Sequence, residues 1–149
     1  MRSKLRLDSR WLLPFAAAPL LGATPPQGVD VFVTVSNMRS DKGLVSACMA
    51  HLKADFPDCR GPGGQDLSVP ADKAGRFAFR NVAPGRYAIA LLHDENANGK
   101  IDKALMIPTE GFGFSRDAPV RMGPPPFSAA AFEVAERDVS QPIRMRYIL

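Results

Sequence analysis

Four valines at every second position, Val29, Val31, Val33 and Val35, alternate with Asp30, Phe32, Thr34 and Ser36. A period of two puts successive side chains on opposite faces of an extended chain, so this segment predicts a strand with one apolar face. Its β-branched residues strengthen the prediction. The same alternation returns between Gly75 and Leu92: Phe77 and Phe79 share a face opposed to Arg76 and Arg80, Pro84-Gly85 makes a turn, and Tyr87, Ile89 and Leu91 resume the apolar row. No stretch carries a helical period of useful length, which excludes a helical bundle and every fold built from strand-helix-strand units.

The remaining segments fit the same scheme. A turn at Ser40-Asp41-Lys42-Gly43 leads into Leu44 to Leu52, where Val45, Ala47 and Met49 face one way and Cys48 the other. Lys53 to Gln65 carries Pro57, Gly61, Pro62, Gly63 and Gly64 and reads as a loop. Leu67 to Pro70 reads as a short edge strand, because proline is tolerated only at edges and ends. Met106 to Phe127 lacks sustained periodicity, and a loop of that length in a compact domain is functional or disordered. Phe132 and Val134, then Ile143, Met145 and Tyr147, give two closing strands. The prediction is an all-β fold, a single Ig-like or transthyretin-like β-sandwich of about seven antiparallel strands.

The chain has 149 residues, enough for one such domain with a real core and too few for two. Arg2, Lys4, Arg6 and Arg10 precede a nearly uncharged apolar run from Trp11 to Gly22, closed by the small residues Gly22 and Ala23. This is the pattern of a secretory signal peptide over residues 1–23, followed by a linker at 24–28 and the domain at 29–149. The apolar run is too short and too broken by Pro14 and Pro19 for a spanning helix, so no stable membrane insertion follows cleavage. The expected location is periplasmic or secreted. The whole chain has 19 Lys and Arg against 15 Asp and Glu, but the leader holds four of the bases and one acid, leaving 15 against 14. So balanced a domain is not expected to bind nucleic acid through neutralised phosphates.

In an oxidising compartment Cys48 and Cys59 read first as a disulfide, with free buried thiols as the alternative. Closing that 12-residue loop is worth about 3 kcal/mol in the chain-entropy picture.

The segment from His93 to Asp102 carries the one suggestive metal pattern. Asp94, Asn96, Asn98 and Asp102 stand at relative positions 1, 3, 5 and 9, with Gly99 at 6 and the Lys100 carbonyl at 7, as in the first part of a calcium loop. Leu105 stands where a bidentate glutamate belongs, and Glu110 could supply the missing carboxylate if the long loop folds back. Such a site would be weak, on the order of 10⁻⁴ to 10⁻³ M. The alternative is a purely structural turn, since Asn-Gly between apolar runs is a strong hairpin signal and Asx side chains bond their own backbone.

His51 and His93 read as packed or solvated strand residues rather than ligands or bases. Phe112, Phe114 and Phe127 read either as a ligand surface, apolar or sugar-stacking, or as a cap on the open end of the core. Nucleotide-binding loops, metalloprotease helices and nucleophile elbows are all missing from the sequence. The expectation is a non-enzymatic binding or structural accessory module, with calcium as its only candidate cofactor and an unidentified protein or glycan of the cell envelope as partner. Two alternatives are a carbohydrate-binding module using the loop aromatics and a small hydrolase using Glu95, Glu110 or Asp102, one of which would need a raised pKa.

Gly75-Arg76-Phe77 with Pro84-Gly85-Arg86-Tyr87, then His93-Asp94-Glu95-Asn96 with Asn98-Gly99-Lys100-Ile101-Asp102, and Ile107-Pro108-Thr109-Glu110-Gly111 with Gly113-Phe114-Ser115 span most of Val31 to Tyr147. In these motifs the chain resembles a family of uncharacterised exported bacterial domains with a transthyretin-like sandwich. The first pair also resembles carboxypeptidase regulatory-type modules, which share that sandwich and lack catalytic function. Met106 departs from the pattern, standing where a glycine is expected before Ile-Pro. The resemblance implies fold and export and names no substrate.

Overall fold

A computed structural model describes residues 28–100, 103–104 and 107–149; the leader, the linker up to residue 27 and Asp102 lie outside the described residues. Two sheets pack face to face. The first contains β10 (Val139–Arg144), β1 (Val29–Ser36) and β4 (Arg76–Val82) in that order. The second runs β3 (Gly64–Pro70), β2 (Leu44–Ala50), β5 (Gly85–Asp94) and β8 (Gly111–Phe114), and β9 (Phe132–Val134) pairs with the start of β5. A small hairpin of β6 (Lys103–Ala104) and β7 (Ile107–Pro108) follows the Asp/Asn turn. The all-β sandwich read from the sequence is therefore the fold.

Alternation decides which side chains meet. Val31, Val33 and Val35 of β1, Phe79 of β4 and Ile143 of β10 face Val45, Ala47 and Met49 of β2 and Ile89 and Leu91 of β5, all buried in one core. On the outward faces of β1 and β4, Thr34, Ser36, Arg76 and Arg80 are exposed, and Phe32 and Ala78 are half-buried.

Three details differ from the sequence reading. β10 runs parallel to β1, with Val33 beside Gln141 and Val35 beside Ile143, so the sandwich is not wholly antiparallel. The third strand is the edge strand that the sequence predicts, but a longer one, Gly64–Pro70, which pairs with β2 from Leu44↔Pro70 to Ala50↔Gly64. The stretch from Met106 to Phe127 is also not one structureless loop, because it contains β8 and runs into the short helix α1 (Phe127–Ala130). Its Gly and Pro content masks a strand in which Gly111 and Gly113 alternate with Phe112 and Phe114. Glycine is required there, since a Cβ on Gly111 would lie 2.3 Å from the Tyr147 ring and one on Gly113 2.7 Å from Ile143.

The returning segment builds a second apolar layer on the outer face of sheet two. Ala88 and Ala90 of β5, Phe114, Ala118 and Ala130 are buried there, with Phe56, Phe112, Val120 and Phe127 packed against them. The fully buried Ser115 stitches this layer down: its Oγ accepts from the Ile89 amide at 2.9 Å and donates to the Ala130 carbonyl at 2.5 Å. β5 is therefore covered on both faces, which explains its almost unbroken apolar run. Cys48 and Cys59 form a disulfide with 5.5 Å between Cα atoms, tying the loop after β2 back to that strand. Among the described residues no helix is long and apolar enough to cross a membrane.

Candidate functional site

The His93 to Lys100 motif lies at one end of the sandwich, where the β1–β2 turn, the end of β5 and the segment after β10 converge, while Pro84-Gly85-Arg86-Tyr87 opens β5 at the other end. His93 is fully buried. Its Nε2–H donates to the Lys42 carbonyl at 2.8 Å, because a carbonyl only accepts, and its Nδ1 accepts from the Tyr147 hydroxyl at 2.8 Å. That hydroxyl in turn accepts from the Arg39 amide at 3.2 Å. Burial pushes the Tyr147 hydroxyl above its ordinary pKa, so it remains a donor at neutral pH. His93 is thus a positioned structural residue whose ring contacts are all taken up within the fold.

Glu95 is the hub of the charged part. Arg39 donates to its Oε2 from Nε at 3.0 Å and from Nη2 at 2.5 Å, and the Ser40 hydroxyl donates to Oε1 at 2.6 Å. The Arg39 and Ser40 hydrogen bonds hold the Glu95 carboxyl down at about 2, against the opposing effect of burial. A general acid needs the opposite shift, so Glu95 has no proton to give near neutral pH. Arg39 also donates to the carbonyls of Thr109 at 2.7 Å and Leu149 at 2.5 Å.

The Asp/Asn turn is organised around its own backbone. Asp94 is buried, and its Oδ1 and Oδ2 accept from the amides of Asn98 at 3.1 Å and Gly99 at 2.7 Å. Asn96 Oδ1 also accepts from the Asn98 amide at 3.0 Å, and Asn98 Oδ1 from the Lys100 amide at 2.8 Å. These are the Asx-turn bonds that a structural turn requires. Gly43 seals the other side: it adopts φ +73°, and a Cβ there would sit 2.0 Å from the Asp94 carbonyl oxygen. Glu110 is buried, and among the described residues no three His, Cys, Asp or Glu side chains are grouped to hold a metal ion. Asp102, the fourth oxygen-bearing side chain of the candidate calcium loop, lies outside the described residues.

The three loop phenylalanines meet neither at the end of the inter-sheet core nor on a flat platform. They lie on the outer face of sheet two, with Phe114 buried and the Phe112 and Phe114 rings tilted by 44°. Beside them is an open groove of about 930 Å³. Its floor is the outer face of β2 and β5 at Ser46, Cys48, Ala90 and Leu92; Phe112 and Phe114 form one wall, and Val120 to Pro124 overhang it. Asp66 and Ser68 of β3 and the loop at Pro57 bound the far side. Met122, fully exposed, and Ile148, about half exposed, stand at its rim.

Sequence reading named Tyr147 only as a residue of the closing strand and did not single out Arg39, Val120, Met122 or Ile148. Arg39 and Tyr147 are 108 residues apart and carry no local signal for each other. The two regions are nevertheless joined, because Leu92 of the groove precedes His93 of the motif, and Arg39 and Tyr147 hold the segment that carries Ile148.

No curated protein and no solved structure matches the chain. Residues 33–141, from the second inward valine of β1 to the middle of β10, match a family described as uncharacterized proteins conserved in bacteria. The chain, a two-sheet β fold, belongs to that bacterial family, DUF2141.

Proposed function

We propose that this chain is an exported, non-catalytic binding module that takes the alkyl chain of an amphiphile of the cell envelope into the groove on the outer face of sheet two. One observation carries the reading. Four large hydrophobic side chains are exposed among the described residues, Leu52, Met122, Ile148 and Leu149, and two of them border this one groove. Exposed apolar surface is costly in water, and a groove of this size with an apolar floor and a few polar groups at its lip is the usual form of a small-ligand site. Met122 suits such a role because its unbranched side chain adapts to an occupant. Arg121, Asp66 and Ser68 offer the polar edge that an amphiphile's head group needs.

The tilted, partly packed phenylalanines favour alkyl packing over the flat stacking that sugar rings use. The Asp/Asn turn supports the module as architecture, through the Asp94 bonds to Asn98 and Gly99, and the reading does not require calcium. Export rests on the leader pattern of residues 1–23, and the disulfide is in keeping with it. Titration with N-phenyl-1-naphthylamine tests the proposal: fluorescence enhancement reversed by lauric acid is expected, and no enhancement at micromolar protein would reject it.

A further inference from the structure

The opposite side of the molecule, the outer face of sheet one, is a second surface with its own chemistry. Its outward side chains are Phe32, Thr34 and Ser36 of β1, Arg76, Ala78 and Arg80 of β4, and Ser140, Pro142 and Arg144 of β10, brought side by side by the registers Phe32↔Ala78, Thr34↔Arg76, Phe32↔Ser140 and Ser36↔Arg144. Nothing in the described structure packs over these residues.

Phe32 is the organising element. The guanidinium carbons of Arg76 and Arg80 lie 5.4 Å and 5.7 Å from its ring centroid. Stacking on a ring fixes a guanidinium's plane while leaving its N–H edges available for bidentate bonds to an oxyanion. Arg80 is matched by Asp30. Among the described residues Arg76 and Arg144 make no ion pair. About two strand spacings, roughly 10 Å, separate β10 from β4, so the two unmatched charges are spread across a flat face interleaved with hydroxyls.

We infer that this face is an interaction surface for a carboxylate-bearing polysaccharide, with Arg76 and Arg144 gripping successive acidic sugars and Thr34, Ser36 and Ser140 bonding their hydroxyls. Two unmatched arginines are too few for nucleic acid, where many phosphates are neutralised together. No large exposed apolar side chain lies on this face to enter a membrane, since Leu52, Met122, Ile148 and Leu149 all lie elsewhere. An extended anionic chain matches both the flatness and the modest charge.

The test is affinity electrophoresis of the protein through gels containing polygalacturonate, with dextran gels as the neutral control and DNA and phosphatidylglycerol vesicles as rival ligands. Retardation by polygalacturonate alone is expected. It should weaken at least tenfold in Arg76→Ser/Arg144→Ser and several-fold in Phe32→Leu, where the charges remain but their platform is lost. The double variant Lys53→Ser/Arg60→Ser removes the same charge elsewhere, outside the groove, and should be retarded as the parent is. Absence of retardation, equal loss in the two double variants, or binding to DNA or vesicles in place of the polysaccharide would overturn the inference. All five substitutions are at exposed or half-exposed positions, and thermal melting verifies that each variant is folded.

Discussion

Arg39 lays its guanidinium 4.5 Å from the centroid of the Tyr147 ring while its Nη2 meets the Glu95 carboxylate at 2.5 Å, so one side chain from the β1–β2 turn clamps the end of β5 to the segment that follows β10. Because Tyr147 precedes Ile148, the clamp sets the rim of the groove. Arg39→Ala should cost about 2 kcal/mol through the lost stacking and hydrogen bonds. Amide hydrogen exchange checks the local effect: Arg146 to Leu149 should exchange much faster in the variant, while the β2 and β5 amides keep their order of protection.

Glu95 gives this end of the molecule a pH signature. Its carboxyl is held at about 2, below the ordinary value of 4.5, so the charged form stabilises the fold. That contribution is fully present above pH 4.5 and disappears as pH falls from there through about 2. Both partners are partly solvated, which limits the gain to about 1 kcal/mol after screening. Glu95→Gln should therefore melt roughly 3 to 6 °C below the parent at pH 7, with the two curves converging between pH 4.5 and 2.

Asp94 distinguishes a structural turn from a metal-dependent one. Asp94→Ala removes the acceptor for the Asn98 and Gly99 amides and should cost about 2 kcal/mol in urea unfolding. The loss should be the same in EDTA and in millimolar calcium. A parent protein that gains stability with calcium, when the variant does not, would assign the turn to the ion.

The disulfide is expected to stabilise mainly by restricting the unfolded chain. Cys48→Ala/Cys59→Ala should lower the unfolding free energy by about 3 kcal/mol, read by guanidinium denaturation. Cys48 lines the groove floor and Pro57 its far side, so probe binding should weaken in the same variant.

The sheets were legible in the sequence because each strand buries one face, and a period of two in Val31, Val33 and Val35 or in Phe77 and Phe79 records that burial directly. β8 was not, because its inward positions are glycines chosen to admit Tyr147 and Ile143, neighbours remote in the chain. The parallel pairing of β10 with β1 is equally invisible to periodicity, which reports a strand's faces and not its partner. His93 and Asp94 announced themselves by type and spacing, but their partners, Tyr147 and Lys42 for one and backbone amides for the other, are set by tertiary structure. Of the groove, only Phe112 and Phe114 were singled out from the sequence as a ligand surface, since its other parts come from segments far apart in the chain, among them Ser46 to Cys48, Asp66 to Ser68, Ala90 to Leu92, Val120 to Pro124 and Ile148.

Mapping amide chemical shifts during titration with lauric acid examines the groove most directly. Perturbations should cluster at Leu92, Phe112, Val120, Met122 and Ile148, and Met122→Glu/Ile148→Glu should abolish them without changing the fold. Shifts confined to the Asn96 to Lys100 turn, or spread evenly over the surface, would contradict a binding site on the outer face of sheet two.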